Sequence, residues 1–153
     1  SSNTFGNSWY DQSEGTVFSD SFSPVDSISG LFSHDYTFHD GTANEVIRVV
    51  SSASYGPTGH GINILDNGVT RFSSNNGTKG IFNKISLGYQ LNNAAVSGNG
   101  NTPNTGTPVT LPLITTLSLG GSHAIGNTRS NLIKRITYWP TRLSNETLQA
   151  ITS

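Results

Sequence analysis

Leu132-Ile133-Lys134-Arg135-Ile136-Thr137-Tyr138-Trp139-Pro140-Thr141-Arg142-Leu143-Ser144 is the stretch on which the fold turns. The β-branched and aromatic residues from Ile133 to Trp139 suit a strand. Pro140 stops it, because proline has no N–H to give a ladder. Ile133 and Ile136 stand three apart, whereas residues on one face of a flat strand recur every two. That spacing predicts a β-bulge at Lys134-Arg135. Beyond the proline, Ser144 is a good N-cap, its hydroxyl accepting from a free backbone N–H. Glu146 falls in the first turn, where the helix dipole favours negative charge. Leu143 and Leu148 occupy the positions of a hydrophobic staple, and Leu148 and Ile151 make one apolar edge. A helix over 144–152 is too short to stand alone, so it is expected to dock on a sheet.

Working outward, period-2 patterning dominates, as in half-buried strands. Leu111, Leu113, Thr115, Leu117 and Leu119 alternate up to Gly120-Gly121. Ile81, Ile85, Leu87, Tyr89 and Leu91 form a second row, with Lys84, Ser86 and Gln90 on the opposite face. Asn92-Asn93 then reads as a hairpin turn into Ala94-Ala95-Val96, since Asn tolerates positive φ. Shorter candidate strands are Gly15–Ser19, Leu31–Phe38, Val46–Val50, Gly61–Leu65 and Val69–Phe72, the last two flanking the tight turn Asp66-Asn67-Gly68. The Gly-, Asn-, Thr- and Pro-rich run 97–108 reads as a long loop inside one domain, because apolar alternation resumes after it. Residues 1–12 read as a lead-in segment.

The 153 residues fit a single domain with a real core. Only 33% are apolar and 11% charged, the balance being Ser, Thr, Asn and Gly. A net charge of −1 with recurring apolar clusters is unlike a disordered chain, which pairs low hydrophobicity with high net charge. With no Cys there is no disulfide, thiol nucleophile or Cys-based metal site, which fits folding in a reducing cytoplasm. No apolar run approaches the ~20 residues of a membrane helix, so membrane insertion is not expected, and no signal peptide is visible. A chain without Met that begins Ser1-Ser2-Asn3 reads as a fragment or a processed product. Up to Asp66 eight acids face one base, Arg48; beyond it seven bases face one acid, Glu146. Complementary faces meeting between protomers, a basic patch seeking an anion, and charges that pair within an interleaved sandwich all satisfy that asymmetry. Eight Lys and Arg in total give nucleic-acid binding little support.

The C-terminal stretch resembles the final strand and helix start of concanavalin A-like, laminin G-like jelly-roll domains, which close with two aliphatics three apart, an aromatic pair, Leu-Ser and a short helix. Its Arg135 before Ile136, and Pro140-Thr141-Arg142-Leu143-Ser144 after the aromatics, look most like such domains in tailed-bacteriophage structural proteins. Ser8-Trp9-Tyr10 with Glu14-Gly15-Thr16-Val17 is similar to their opening strand. Lys84-Ile85-Ser86-Leu87-Gly88-Tyr89 is a softer match. Asn131-Leu132 replaces the Gly that often precedes the last strand. The resemblance implies an all-β, two-sheet antiparallel jelly-roll sandwich with a short C-terminal helix. It also implies a virion structural or adhesion module, in a tail fibre or head decoration, partnered by other virion proteins and by copies of itself.

Fold does not determine function. Glycoside hydrolases on this sandwich set closely spaced carboxylates on one strand, and Glu14, Glu45 and Glu146 each stand alone, so no enzyme is expected. His34, Asp35, His39 and Asp40 are the densest group of potential metal ligands. By strand parity, however, His34 and Asp40 face one way and Asp35 and His39 the other, and the spacing matches no zinc motif. There is no Gly-x-Ser-x-Gly elbow. No cofactor is expected; Asp66, Asn67, Asn75 and Asn76 offer some of the several oxygen ligands calcium needs, but they fit better as ordinary turn residues. Sugar binding is the expected chemistry: an aromatic face on sugar C–H groups, with polar side chains on the hydroxyls. Tyr55, in a loop with His60, is the candidate aromatic, and Arg71, Asn75 and Asn76 are its candidate partners for a glycan or cell-surface polysaccharide. The alternatives are that Tyr55 packs on the sandwich rim, and that the domain serves only oligomerisation or capsid attachment. Trp9 and Trp139 also offer stacking surfaces, or cover the core or a subunit contact.

Overall fold

The computed structural model describes residues 2–4, 9–22, 32–51, 60–75, 82–121, 128–129 and 132–153. Strands β1 (Ser2–Thr4), β2 (Glu14–Phe22), β3 (Phe32–His39), β4 (Val46–Ser51), β5 (His60–Asp66), β6 (Val69–Ser74), β7 (Phe82–Gln90), β8 (Ala94–Gly98), β9 (Asn104–Gly106), β10 (Thr116–Leu119), β11 (Thr128–Arg129) and β12 (Leu132–Trp139) precede one helix, α1 (Asn145–Ile151). They form the expected two-sheet jelly-roll sandwich. A seven-stranded sheet runs β1-β10-β3-β4-β5-β6, with β11 beside β3, and a five-stranded sheet runs β12-β2-β7-β8-β9. Pairing is antiparallel except for the short β11–β3 contact.

Alternation sorts the side chains. Val17, Ile85, Leu87 and Tyr89 from one sheet meet Phe38, Ile47, Val49, Ile62 and Ile64 from the other in one core. The hairpin turns obey their residues: Asn67 and Gly68 lie at φ 51° and 73° between β5 and β6, and Asn92 at φ 59° between β7 and β8. Two patterns read differently in three dimensions. The run 97–108 is not one loop: Asn99-Gly100, at φ 49° and 75°, turns β8 tightly, and β9 then adds an edge strand to it. The row from Leu111 to Leu119 is a strand only over Thr116–Leu119. Pro112 cannot donate to a ladder, so Ile114 rather than Leu113 is buried, Leu113 being 65% exposed.

The C-terminal stretch behaves as its spacing predicts. Along β12 the register slips between Ile133, opposite Ser21, and Arg135, opposite Asp20, so Lys134 is the extra residue of a bulge. Ser144 caps α1 by accepting from Thr147 N at 3.2 Å. Leu148 is fully buried where α1 lies on β7 and β8, and its carbonyl accepts from Ser86 Oγ at 2.9 Å. Arg142 ties the connection down. Its backbone N donates to Glu14 Oε2 at 2.8 Å, and its guanidinium donates to the Leu143 carbonyl and to Asn145 Oδ1 at 2.6 Å. That guanidinium lies against Gly88, where an added Cβ would fall 2.7 Å from Arg142 Cδ and displace the arginine side chain.

The sandwich has two unlike ends. At one, tight turns join β5 to β6 and β7 to β8, and Glu45 clasps neighbouring segments by accepting from Asn67 N and Leu113 N, each at 2.8 Å. At the other, Ser33, Ser51 and His60 stand side by side in one sheet, and Phe22, Phe82 and Leu132 in the other. The segments between β2 and β3, β4 and β5, and β6 and β7 all leave from there. This loop end gathers what the sequence scatters.

Candidate functional site

Strand β4 reads Val46-Ile47-Arg48-Val49-Val50, an arginine set in an apolar strand. Ile47 and Val49 enter the core, so Arg48 points to the outer face of the seven-stranded sheet. Register aligns it in one row with Ser118, Thr37, Asn63 and Ser73. Arg48 Nε donates to Asn63 Oδ1 at 3.2 Å, and Asn63 Nδ2 donates to Ser73 Oγ at 3.1 Å. Among the described residues this is the one hydrogen bond Arg48 makes, and it goes through Nε rather than through the two terminal nitrogens. Arg48 as a whole is half-buried, and no carboxylate among the described residues pairs with it.

The bulge in β3 shapes the same face. Register slips between His34, opposite Val50, and Tyr36, opposite Val49. Asp35 is the extra residue and turns inward, accepting from Ser19 Oγ and Ser21 Oγ, both at 2.9 Å, between the sheets. The expected parity split therefore fails. His34 and His39 share the outer face with Arg48, and Asp35 stands apart in the interior, because one inserted residue reverses the alternation. His39 Nδ1 accepts from Gly41 N at 2.9 Å, which leaves Nε2 to donate to Ser118 Oγ, also at 2.9 Å.

The residues expected from the sequence are distributed unevenly. Tyr55 and Asn76 lie outside the described residues, as does the His60 side chain; the His60 backbone starts β5 at the loop end. Asn75 follows β6 at that end and is exposed. Arg71 is drawn the other way. A register shift at Ile64/Leu65 makes it the unpaired residue of β6, and its Nη2 meets Asp66 Oδ2 at 3.1 Å. Thr110 Oγ1 donates to the same carboxylate oxygen at 2.5 Å. Asp66 is thus committed to a cation and a hydroxyl of its own chain, and no group of three His, Cys, Asp or Glu that could hold a metal occurs among the described residues. Trp9, 41% exposed, stands edge-on to Tyr138 and Tyr10 at centroid distances of 5.3 and 6.1 Å.

The Thr110 hydroxyl, aided by Arg71, holds the Asp66 carboxyl below its ordinary value against the opposing effect of burial. A depressed folded-state pKa adds stability that is present above the unfolded value of about 3.9 and lost as pH falls through the folded one. Asp66→Asn is therefore expected to flatten the acid limb of a stability–pH profile below about pH 4. Chemical denaturation at pH 3 and pH 7 checks it: an equal loss at both would contradict the linkage.

No protein-family model matches the sequence, and no curated protein matches it. Solved structures do match the fold. The carbohydrate-binding module CBM40 of the Ruminococcus gnavus IT-sialidase, solved bound to α2,3 sialyllactose, superposes with a TM-score of 0.72 at 15% identity, over 94% of this chain and 84% of that one. The same module bound to α2,6 sialyllactose gives 0.69. Leech intramolecular trans-sialidase gives 0.70 at 17% identity, over 93% of this chain but only 23% of that enzyme's length. At such identities the likeness establishes the sandwich architecture.

Proposed function

We propose that this domain is a non-catalytic glycan-binding module that takes an acidic sugar on the outer face of its seven-stranded sheet, with Arg48 receiving the sugar carboxylate. The observation that carries the reading is the Arg48 row. Half-buried Arg48 is held through Nε by Asn63, its two terminal nitrogens lack partners among the described residues, and hydroxyl and amide groups stand beside it in the row. Such a planar fork matches a carboxylate bidentately. Ser73, exposed on the same row, supplies a group for sugar hydroxyls, and the exposed Asn75 follows it at the end of β6. Support comes from likeness to CBM40 modules that were solved with sialyllactose. The non-catalytic reading is supported by the employment of carboxylates as structural acceptors: Glu14 for Arg142 N, Glu45 for two loop amides, Asp35 for two buried serines.

Calorimetric titration with 3′-sialyllactose, 6′-sialyllactose and lactose tests this. Both sialosides are expected to bind and lactose not to. Arg48→Ala is expected to weaken sialoside binding about ten- to hundredfold, the worth of a charge-assisted hydrogen-bond pair, without lowering Tm. Equal binding of lactose, or an unchanged Arg48→Ala, overturns the reading.

The resemblance of Leu132–Ser144 to phage structural domains carries a further proposal, that the module works in a virion beside other virion proteins and as a homo-oligomer. Mass spectrometry of purified particles and light scattering of the isolated domain test it.

A further inference from the structure

The hydrogen bonds along the Arg48 row have a direction that their donors impose. Arginine can only donate, so Asn63 turns Oδ1 to Arg48 Nε, at 3.2 Å. The amide Nδ2 is left to donate to Ser73 Oγ at 3.1 Å, and the hydroxyl accepts there. Ser73 makes no other side-chain hydrogen bond among the described residues, so its single proton remains to be given. The opposite end is polarised likewise: Gly41 N donates to His39 Nδ1, and Nε2 donates to Ser118 Oγ. The two ends differ in access. Thr37 is fully buried and Ser118 only 7% exposed, and Thr37 Oγ1 donates to the Gly121 carbonyl at 3.0 Å. Ser73 and Asn75 are exposed. A ligand seated on Arg48 therefore meets an accessible proton donor on the β6 side.

Cross-strand polar pairs stabilise sheets. That accounts for the Asn63–Ser73 bond, but not for an exposed hydroxyl whose acceptor side is taken by a neighbour that Arg48 itself orients. We propose that Ser73 is the specificity-determining residue of the Arg48 site, donating to the acyl carbonyl of an N-acylated acidic sugar whose carboxylate sits on Arg48. This rests on Arg48 as the receiver of the carboxylate. A carbonyl oxygen carries no proton and only accepts, so it complements a group with a proton to give. A sugar hydroxyl in its place brings a second proton that needs an acceptor of its own. The two hydrogen bonds from Arg48 to Ser73 are joined by a single amide, which keeps Ser73 within one sugar's width of the guanidinium. One acidic sugar thus reaches both, and a simple uronic acid satisfies Arg48 alone.

The test titrates the whole chain with 3′-sialyllactose and with its deaminated analogue, in which a hydroxyl replaces the acetamido group. The wild type is expected to prefer the acetamido sugar about fivefold, the worth of one neutral hydrogen bond. Ser73→Ala is expected to weaken sialyllactose binding about fivefold and to leave the analogue unchanged, so that the preference disappears. Ser73→Thr, which keeps the hydroxyl, is expected to retain it. Because Ser73 is exposed, neither substitution is expected to move Tm. A merely structural role for Ser73 would weaken the two sugars together. Unchanged sialyllactose affinity in Ser73→Ala, or equal weakening of both sugars, overturns the proposal while Arg48 keeps its role. Unchanged sialyllactose binding in Arg48→Ala overturns both.

Discussion

Leu148→Ala is expected to cost about 2–5 kcal/mol of folding free energy, the range for truncating a fully buried leucine. Leu148 is the one buried side chain of α1, and the helix, at seven residues, has no stability of its own. Its docking also aligns polar contacts: the Leu148 carbonyl accepts from Ser86 Oγ, and Thr152 Oγ1 meets Ser97 Oγ at 3.1 Å. Loss of the anchor releases these together. Urea denaturation monitored by tryptophan fluorescence measures the cost. A loss below about 1 kcal/mol would mean that the site collapses around the smaller side chain.

Asp35→Ala comes next, at about 2–4 kcal/mol, because two buried serine hydroxyls lose a charged acceptor. Ser19 and Ser21 are 0% and 2% exposed, so water cannot readily replace the carboxylate. Asp35→Asn keeps one oxygen acceptor and is expected to cost about half as much. Because Asp35 occupies the β3 bulge, its loss is also expected to weaken sialoside binding by shifting the register of Thr37 against Arg48. If Asp35→Ala matches the wild type in denaturation, the carboxylate's desolvation cost balances its hydrogen bonds, as happens for some buried charges.

Much of the architecture was legible because it is written in local chemistry. Alternation at Ile85, Leu87 and Tyr89 marks β7 whatever it packs against. Asn67-Gly68 and Asn92 mark their turns because left-handed φ is cheap for those residues. Even the β12 bulge could be read, since a three-residue gap between isoleucines conflicts with period two. The β3 bulge had no such mark. His34-Asp35-Tyr36 carries no apolar spacing to violate, and the inward turn of Asp35 depends on serines 14 and 16 residues away. Parity reasoning therefore placed His34 and His39 on opposite faces when they share one.

The candidate site was harder still. Arg71 looked like a sugar ligand because it lies near Asn75 in sequence, but the strand carries it toward Asp66. Arg48 looked like an isolated base. Its signal was present, an arginine in the middle of Val46–Val50, yet its partners Asn63, Ser73 and Thr37 lie on three other strands. By itself the sequence determined that this chain is a β sandwich with its closing strand bulged at Lys134 and its helix capped at Ser144, because each of these follows from the conformational preferences and spacing of neighbours. Only the tertiary structure decided which polar residues share a face. Lateral register across a sheet is set by bulges and by pairing between distant strands, and a shift of one residue turns a side chain from core to surface.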